Sequence, residues 1–345
     1  MPALRSPLLA VALCALAFLA QEEKALSAPR DLRAETVRQA VAAPLLPLQL
    51  AQLPGAFRKP SKTKLVEFEN APFPFEGIDP RTGRPFINAD ETGRPGRVTR
   101  GGFKPEDQTY ADQRVLLHIP EGFDVRRPAV IVVFFHGHRA TIAADVLTRQ
   151  RVAEQISLSQ ANAVLVAPQF AVNAADSSAG SFWEPELFRL FLEETSEQLA
   201  LLNREPGTTR IFDRMPVIII GYSGGYSPTA WAIHHSSTNK RLRGVVLLDA
   251  LYGELDKFEK WIKSDRTRFF VSAFLGSTRA RNLELQKILA DQNIPLRTSL
   301  EPQLRPGSVV FIAGGADERH SSFVTQAWAT NPISDLLNRL PEYRR

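Results

Sequence analysis

From about Gln113 to its last residue, the chain alternates short apolar, β-branched runs with stretches long enough for a helix. The runs cover residues 114–119, 129–135, 163–167, 217–220, 244–248, 268–274 and 308–312. Helical periodicity falls over 142–160, 184–202, 228–235, 257–263, 279–291 and 334–340. Runs such as AVIVVFF have no polar face, which predicts strands buried on both sides. Parallel neighbours need long crossovers, usually helical. The expected class is therefore α/β, a mostly parallel sheet with helices on both faces. In such sheets, ligands bind beyond the carboxyl ends of the strands.

The stretch before Gln113 reads differently. Pro44, Pro47, Pro54 and Pro60 break any long helix, and residues 70–110 are rich in Pro, Gly and charge. Thr82-Gly83-Arg84-Pro85 returns as Thr92-Gly93-Arg94-Pro95, which predicts two similar turns rather than a repeat fold. Residues 28–112 are expected to form a loop-rich extension with a strand or two, packing on a core domain of residues 113–345. A capping box is expected at Ser181-Phe182-Trp183-Glu184.

The first 27 residues read as an export signal. Met1 and Arg5 precede an unbroken apolar run over 8–20, shorter than the roughly 20 residues of a membrane span. Ala25-Leu26-Ser27 presents small residues at the spacing a signal peptidase reads, so cleavage is expected after Ser27, with Ala17 and Ala20 as alternatives. The expected location is periplasmic or secreted, with no stable membrane anchor after cleavage. Cys14 is the single cysteine among 345 residues, so no internal disulfide framework or Cys-rich zinc site is available. A net charge of +5 without a run of like charges gives no case for nucleic acid.

The chemistry centres on Gly221-Tyr222-Ser223-Gly224-Gly225, a G-x-S-x-G directly after one apolar run and before a helix. A strand, a tight turn and a helix are the context in which a serine is held on a strained elbow. No glycine pattern of the phosphate-binding kinds occurs at this turn. A serine hydroxyl needs a base to take its proton, and histidine is the usual one. Of the histidines after Ser223, His234 and His235 lie well into the helix that follows, too far from its start. His320 follows the final apolar run, in Ala313-Gly314-Gly315-Ala316-Asp317-Glu318-Arg319-His320.

With this elbow, Phe134-Phe135-His136-Gly137-His138 at the end of an earlier run, and His320, the sequence resembles the α/β-hydrolase superfamily of serine hydrolases and esterases over roughly residues 113–345. The resemblance implies Ser223 as nucleophile and His320 as base. It implies an oxyanion hole from a backbone N–H around Gly137 or His138, paired with that of Gly224. Many relatives carry the acid after the next-to-last strand, but Leu275-Gly276-Ser277-Thr278 holds no carboxylate. Asp249, directly at the end of the preceding strand, is the expected acid, with Glu254 and Asp256 in reserve; Asp317 is expected to shape its own loop.

The polar loop over 168–180 leaves a strand's carboxyl end and should overhang the pocket, with Phe182 and Trp183 as a wall. Tyr222, Trp183 and Asp176 are the substrate-binding candidates. An H-x-H pair such as His136 and His138 splays its rings, so no metal site is expected, nor any cofactor. His118, alternating with apolar neighbours, reads as structural. The reading that results is an exported serine hydrolase acting on a small-molecule or cell-envelope ester, less readily an amide. An acyltransferase or peptidase using the same residues is the nearest alternative. A non-catalytic binding protein on the same scaffold is the alternative from another class. Nothing in the pattern specifies an oligomeric state.

Overall fold

The computed structural model describes residues 60–205, 207–236 and 240–345. The signal segment expected over 1–27, with Cys14, and residues 28–59 of the extension lie outside the described residues. In chain order the strands are β1 (Lys62–Glu67), β2 (Ile78–Asp79), β3 (Arg84–Pro85), β4 (Asn88–Ala89), β5 (Pro95–Thr99) and β6 (Gly102–Pro105). There follow β7 (Arg114–Ile119), β8 (Val130–Phe135), β9 (Ala163–Pro168), β10 (Val217–Tyr222), β11 (Leu242–Leu248), β12 (Phe269–Phe274) and β13 (Val309–Ala313).

The central sheet has eight strands in the order β1-β7-β9-β8-β10-β11-β12-β13. β7 runs antiparallel to both its neighbours, and every pair from β9 to β13 is parallel. A mostly parallel sheet with its second strand reversed, and its third and fourth strands exchanged in position, is the α/β-hydrolase fold. Alternate residues of β8 feed two cores. Ile131, Val133 and Phe135 pack on one face; Val130, Val132 and Phe134 pack on the other. The first face is covered by helices such as Leu187–Asn203 and Leu255–Ser264, through Phe191, Leu199 and Trp261. The second is covered by Val152–Leu158 and Pro332–Asn338, through Ile156, Leu336 and Leu337. Coverage on both sides explains why β8, β9, β10 and β12 are buried at every position. Among the described residues no helix is long and apolar enough to cross a membrane.

Three sequence expectations change. The sheet does not begin at residue 113: β1, inside the segment read as an extension, is its edge strand, with Leu65 opposite Leu116. An edge strand with mostly exposed, charged residues (KTKLVE) lacks the all-apolar signature that marks the others. The helix expected over 142–160 is two helices, Ile142–Arg149 and Val152–Leu158, separated where Arg151 takes a left-handed conformation (φ 50°). The capping box does not form. Ser181 instead donates its hydroxyl to the Ala71 carbonyl at 2.7 Å, and the long helix starts at Leu187 after Glu186.

The two Thr-Gly-Arg-Pro copies do make similar turns. Each is organised by an upstream aspartate: the Asp79 carboxylate accepts the Arg81 amide at 2.9 Å, and Asp90 accepts those of Thr92 and Arg94 at 2.8 and 3.0 Å. The turns close the β2–β3 and β4–β5 hairpins. This N-terminal region is fixed to the core by an aromatic cluster. Phe86 meets Tyr110, Phe73, Trp183 and Phe75 with ring centroids 5.1 to 5.7 Å apart.

Candidate active site

After β8 the chain turns to β9 on one side and later to β10 on the other. The crevice between the carboxyl ends of β8 and β10 is thus the topological switch point. β8 runs on into His136-Gly137-His138 and β10 into Ser223. Ser223 sits in a left-handed conformation (φ 52°), uncommon for a residue with a side chain, between the strand and helix Tyr226–His235. The elbow also lies close against the end of β8: a Cβ at Gly225 would lie 2.4 Å from the Phe135 carbonyl oxygen. That contact accounts for one glycine of the elbow.

Three side chains from separate strand ends form a hydrogen-bonded row. His320 Nε2 lies 2.8 Å from Ser223 Oγ, and His320 Nδ1 lies 2.6 Å from Asp249 Oδ2. Asp249 is fully buried, and it too has a left-handed backbone (φ 44°). Burial alone would raise its pKa. Hydrogen bonds from His320, Thr278, the Leu275 amide and Ser277 outweigh that and hold it below the usual carboxylate value. Leu275 N–H donates to Oδ1 at 3.0 Å, Ser277 Oγ to Oδ2 at 2.9 Å, and Thr278 Oγ1 to Oδ1. The segment that looked empty because it lacks a carboxylate therefore cradles one.

His320 is held from several sides. The Tyr222 ring stacks on it with centroids 5.2 Å apart, and Tyr222 donates its hydroxyl to the His320 carbonyl at 2.8 Å. Burial pushes the Tyr222 phenol up to about 12, so it remains a donor. Arg149 donates to the neighbouring Ser321 carbonyl at 2.8 Å while pairing with Asp145. The reserve acids stand elsewhere: Glu254 and Asp256 both pair with Lys257, at 2.5 and 3.4 Å.

The His136–His138 turn abuts the elbow. A Cβ at Gly137 would lie 2.7 Å from Ser223 Cβ, and one at Gly224 would lie 2.4 Å from the His138 ring. His136 is buried and locks the turn: its Nδ1 donates to the Gly137 carbonyl at 2.8 Å, and its Nε2 accepts the Phe170 amide at 2.9 Å. An amide N–H can only donate, which fixes the proton on Nδ1. Burial holds this imidazole neutral, with a pKa pushed down to about 4. Both its nitrogens are engaged within the protein. Among the described residues no group of three or more His, Cys, Asp or Glu is arranged to hold a metal ion.

Ser223 and His320 open on a cavity of about 1030 Å³. Its other walls include two segments of the N-terminal region, 79–82 and 97–100, so that region roofs the site. Of the substrate-binding candidates, Tyr222 and Asp176 line the cavity. Asp176 is already engaged: Oδ2 accepts from Tyr110 at 2.8 Å and Oδ1 from the Ser178 amide at 2.9 Å, with Arg97 3.4 Å away. Trp183 is not a wall of the cavity. It is buried behind the roof, edge-on to Phe75 and Phe86 with Arg81 stacked 5.0 Å from its ring, because its large apolar surface completes the aromatic cluster. Phe182 is fully buried in the same layer, against Phe188 and Phe191.

The sequence reading missed the donors to Asp249, the roof, and its arginines. A Ser-Thr pair at a strand end beside an expected acid is a usable signal for the first. The roof left none beyond the repeated turn.

No protein-family model matches the chain, and no curated protein matches it significantly. Among solved structures it is similar to a feruloyl esterase module from Clostridium thermocellum, at 14% identity and TM-score 0.43, covering 83% of this chain and 96% of that one. It is similar to the BES protein from Bacillus cereus, at 10% identity and TM-score 0.42, covering 80% and 95%. An S-formylglutathione hydrolase from Agrobacterium tumefaciens aligns at 10% identity and TM-score 0.38, covering 72% and 90%.

Proposed function

We propose that the protein is an exported serine hydrolase that cleaves carboxylic esters through an acyl-enzyme. The observation that carries this is the Ser223–His320–Asp249 row, with spacings of 2.8 and 2.6 Å, opening on the cavity. Ser223 Oγ attacks the ester carbonyl carbon while His320 Nε2 takes its proton. Asp249 keeps the imidazole in the tautomer with Nδ1–H and stabilises the imidazolium that forms. The tetrahedral intermediate collapses; the alkoxide leaves with the proton from His320, and the acyl group stays on Ser223. Water then attacks the acyl carbon, giving its proton to the same base, and the acid departs as Ser223 is restored. The N–H groups of Gly137 or His138 and of Gly224 are the donors for the oxyanion, a contribution of about 3–4 kcal/mol per donor in other hydrolases. Export rests on the apolar run over 8–20 and the Ala25-Leu26-Ser27 site.

The test is a fluorophosphonate probe on the purified protein. One covalent adduct is expected, on Ser223, absent in Ser223→Ala and reduced at least about 100-fold in rate in His320→Ala. A folded protein that takes no label would sink the proposal. Mass analysis of the exported N-terminus tests the cleavage site.

A further inference from the structure

The cavity walls are strongly basic. Five arginines line it, Arg81, Arg97, Arg100, Arg139 and Arg149, against two carboxylates, Asp79 and Asp176. Three of the five are committed. Arg81 and Arg97 both bind Asp79, at 2.9 and 2.5 Å, and Arg149 pairs with Asp145 at 2.8 Å. Arg100 and Arg139 are different: neither makes a side-chain hydrogen bond or ion pair with another described residue.

These two come from separate segments of the chain. Arg100 is at the tip of the β5–β6 hairpin in the roof, and Arg139 follows the His136–His138 turn in the floor. Arg139 is held there by its own backbone, which is left-handed (φ 57°) and donates its amide to the Ala174 carbonyl at 2.8 Å. Both positive charges act on the His138 ring and help depress its pKa, after the larger effect of burial. His138 in turn lies against Gly224, next to Ser223, and its Nε2 is 2.5 Å from Ser177 Oγ. Two arginines without a partner among the described residues therefore line the cavity onto which Ser223 opens. Cationic walls around a partly enclosed site concentrate anions, and guanidinium is suited to paired hydrogen bonds with carboxylate or phosphate.

We infer that the substrate is an anionic ester, carrying a carboxylate or phosphate-type group that Arg100 and Arg139 bind while Ser223 attacks the ester carbonyl. This rests on the serine hydrolase reading and narrows it from any ester to a charged class.

The experiment compares three 4-nitrophenyl esters of similar length: hexanoate, the half-ester of adipate, and 5-phosphonovalerate. The readout is the ratio of kcat/KM for each anionic ester to that for hexanoate, taken within one protein so that general damage cancels. The wild type should favour at least one anionic ester by about tenfold or more, and the preference should shrink as salt rises. The more favoured of the two names the head group. In the double variant Arg100→Gln/Arg139→Gln the ratio should fall about tenfold or more, whereas Arg126→Gln, on a surface turn, should keep it. Fluorophosphonate labelling runs beside each measurement. Labelling of Ser223 without any anionic preference, or with a preference the double variant retains, overturns the anionic class and leaves the hydrolase reading intact. No labelling overturns both.

Discussion

Replacing Asp249 by Asn tests the row at its most constrained point. The carboxylate receives four donors: the Leu275 amide and Thr278 hydroxyl on Oδ1, and His320 Nδ1 and the Ser277 hydroxyl on Oδ2. An asparagine must place its NH₂ at one of these two oxygen positions. Hydroxyls can rotate to accept, but the Leu275 N–H cannot. The NH₂ is thereby forced to the Oδ2 side, where it faces His320 Nδ1. That nitrogen must then accept, so the proton moves to Nε2, and the ring can no longer take the Ser223 proton.

Turning the amide over would restore the tautomer but set N–H against N–H at Leu275. Such a buried mismatch costs about 3 kcal/mol, so kcat/KM should fall at least about 100-fold. If the wrong tautomer dominates completely, the loss approaches about 10⁴-fold. Ser277→Ala, which removes one of the two donors on Oδ2 and leaves the tautomer alone, should cost about tenfold or less. The assay is ester hydrolysis alongside the rate of fluorophosphonate labelling, with thermal melting to show that both variants fold. An Asp249→Asn protein that folds and keeps more than a tenth of wild-type kcat/KM would refute the tautomer argument and move the orienting role away from Asp249.

Gly137→Ala places a methyl 2.7 Å from Ser223 Cβ and 3.2 Å from its Oγ. The serine must yield, and a displacement approaching 1 Å lowers kcat/KM by about 100-fold in a folded protein; near-normal turnover would show that the turn does not constrain Ser223. Stability should also fall with acid in a defined window. His118 and His136 are both buried with pKa values pushed from 6.5 down to about 4. Between those values the unfolded chain binds protons that the native state refuses, so the stabilisation is present above about pH 6.5 and lost as pH falls towards 4. The slope should reach at most about 2.7 kcal/mol per pH unit for the two groups together. A melting temperature that stays level from pH 6.5 to 4 would contradict this.

The alternation of buried runs and helices was sufficient for the class and for seven of the eight strands of the central sheet, because a strand covered on both faces has to be apolar throughout. It failed for β1, whose edge position requires charge rather than apolarity. It also failed for the roof. Asp79 makes that region rigid by binding Arg81 and Arg97 in a fully buried position, and these charge-assisted hydrogen bonds overcome its burial and hold its carboxyl at about 2. Nothing in composition separates such a clamp from the solvated charge of an ordinary loop. The difference lies in Phe73, Phe75 and Phe86, which carry the hairpins onto Tyr110 and Trp183 and so into the core.

Asp249 shows why residue identities could be read before their environment. β11 and β12 are parallel neighbours, with Leu248 opposite Ala273, and the Asp249 amide donates to the Ala273 carbonyl at 2.8 Å. The register puts the first residue after β11 beside the loop that leaves β12. Asp249 reaches His320 from the end of β11, and the loop that leaves β12 lies against the same carboxylate. In this chain that loop supplies Leu275 N–H, Ser277 and Thr278 as donors. The carboxylate after β11 and the Ser-Thr pair after β12 are thus one feature. At the end of β11 Asp249 is completely buried, and a fully buried carboxylate needs its lone pairs filled. Spacing along the chain cannot express that requirement, because it depends on which two strands lie side by side and in what register.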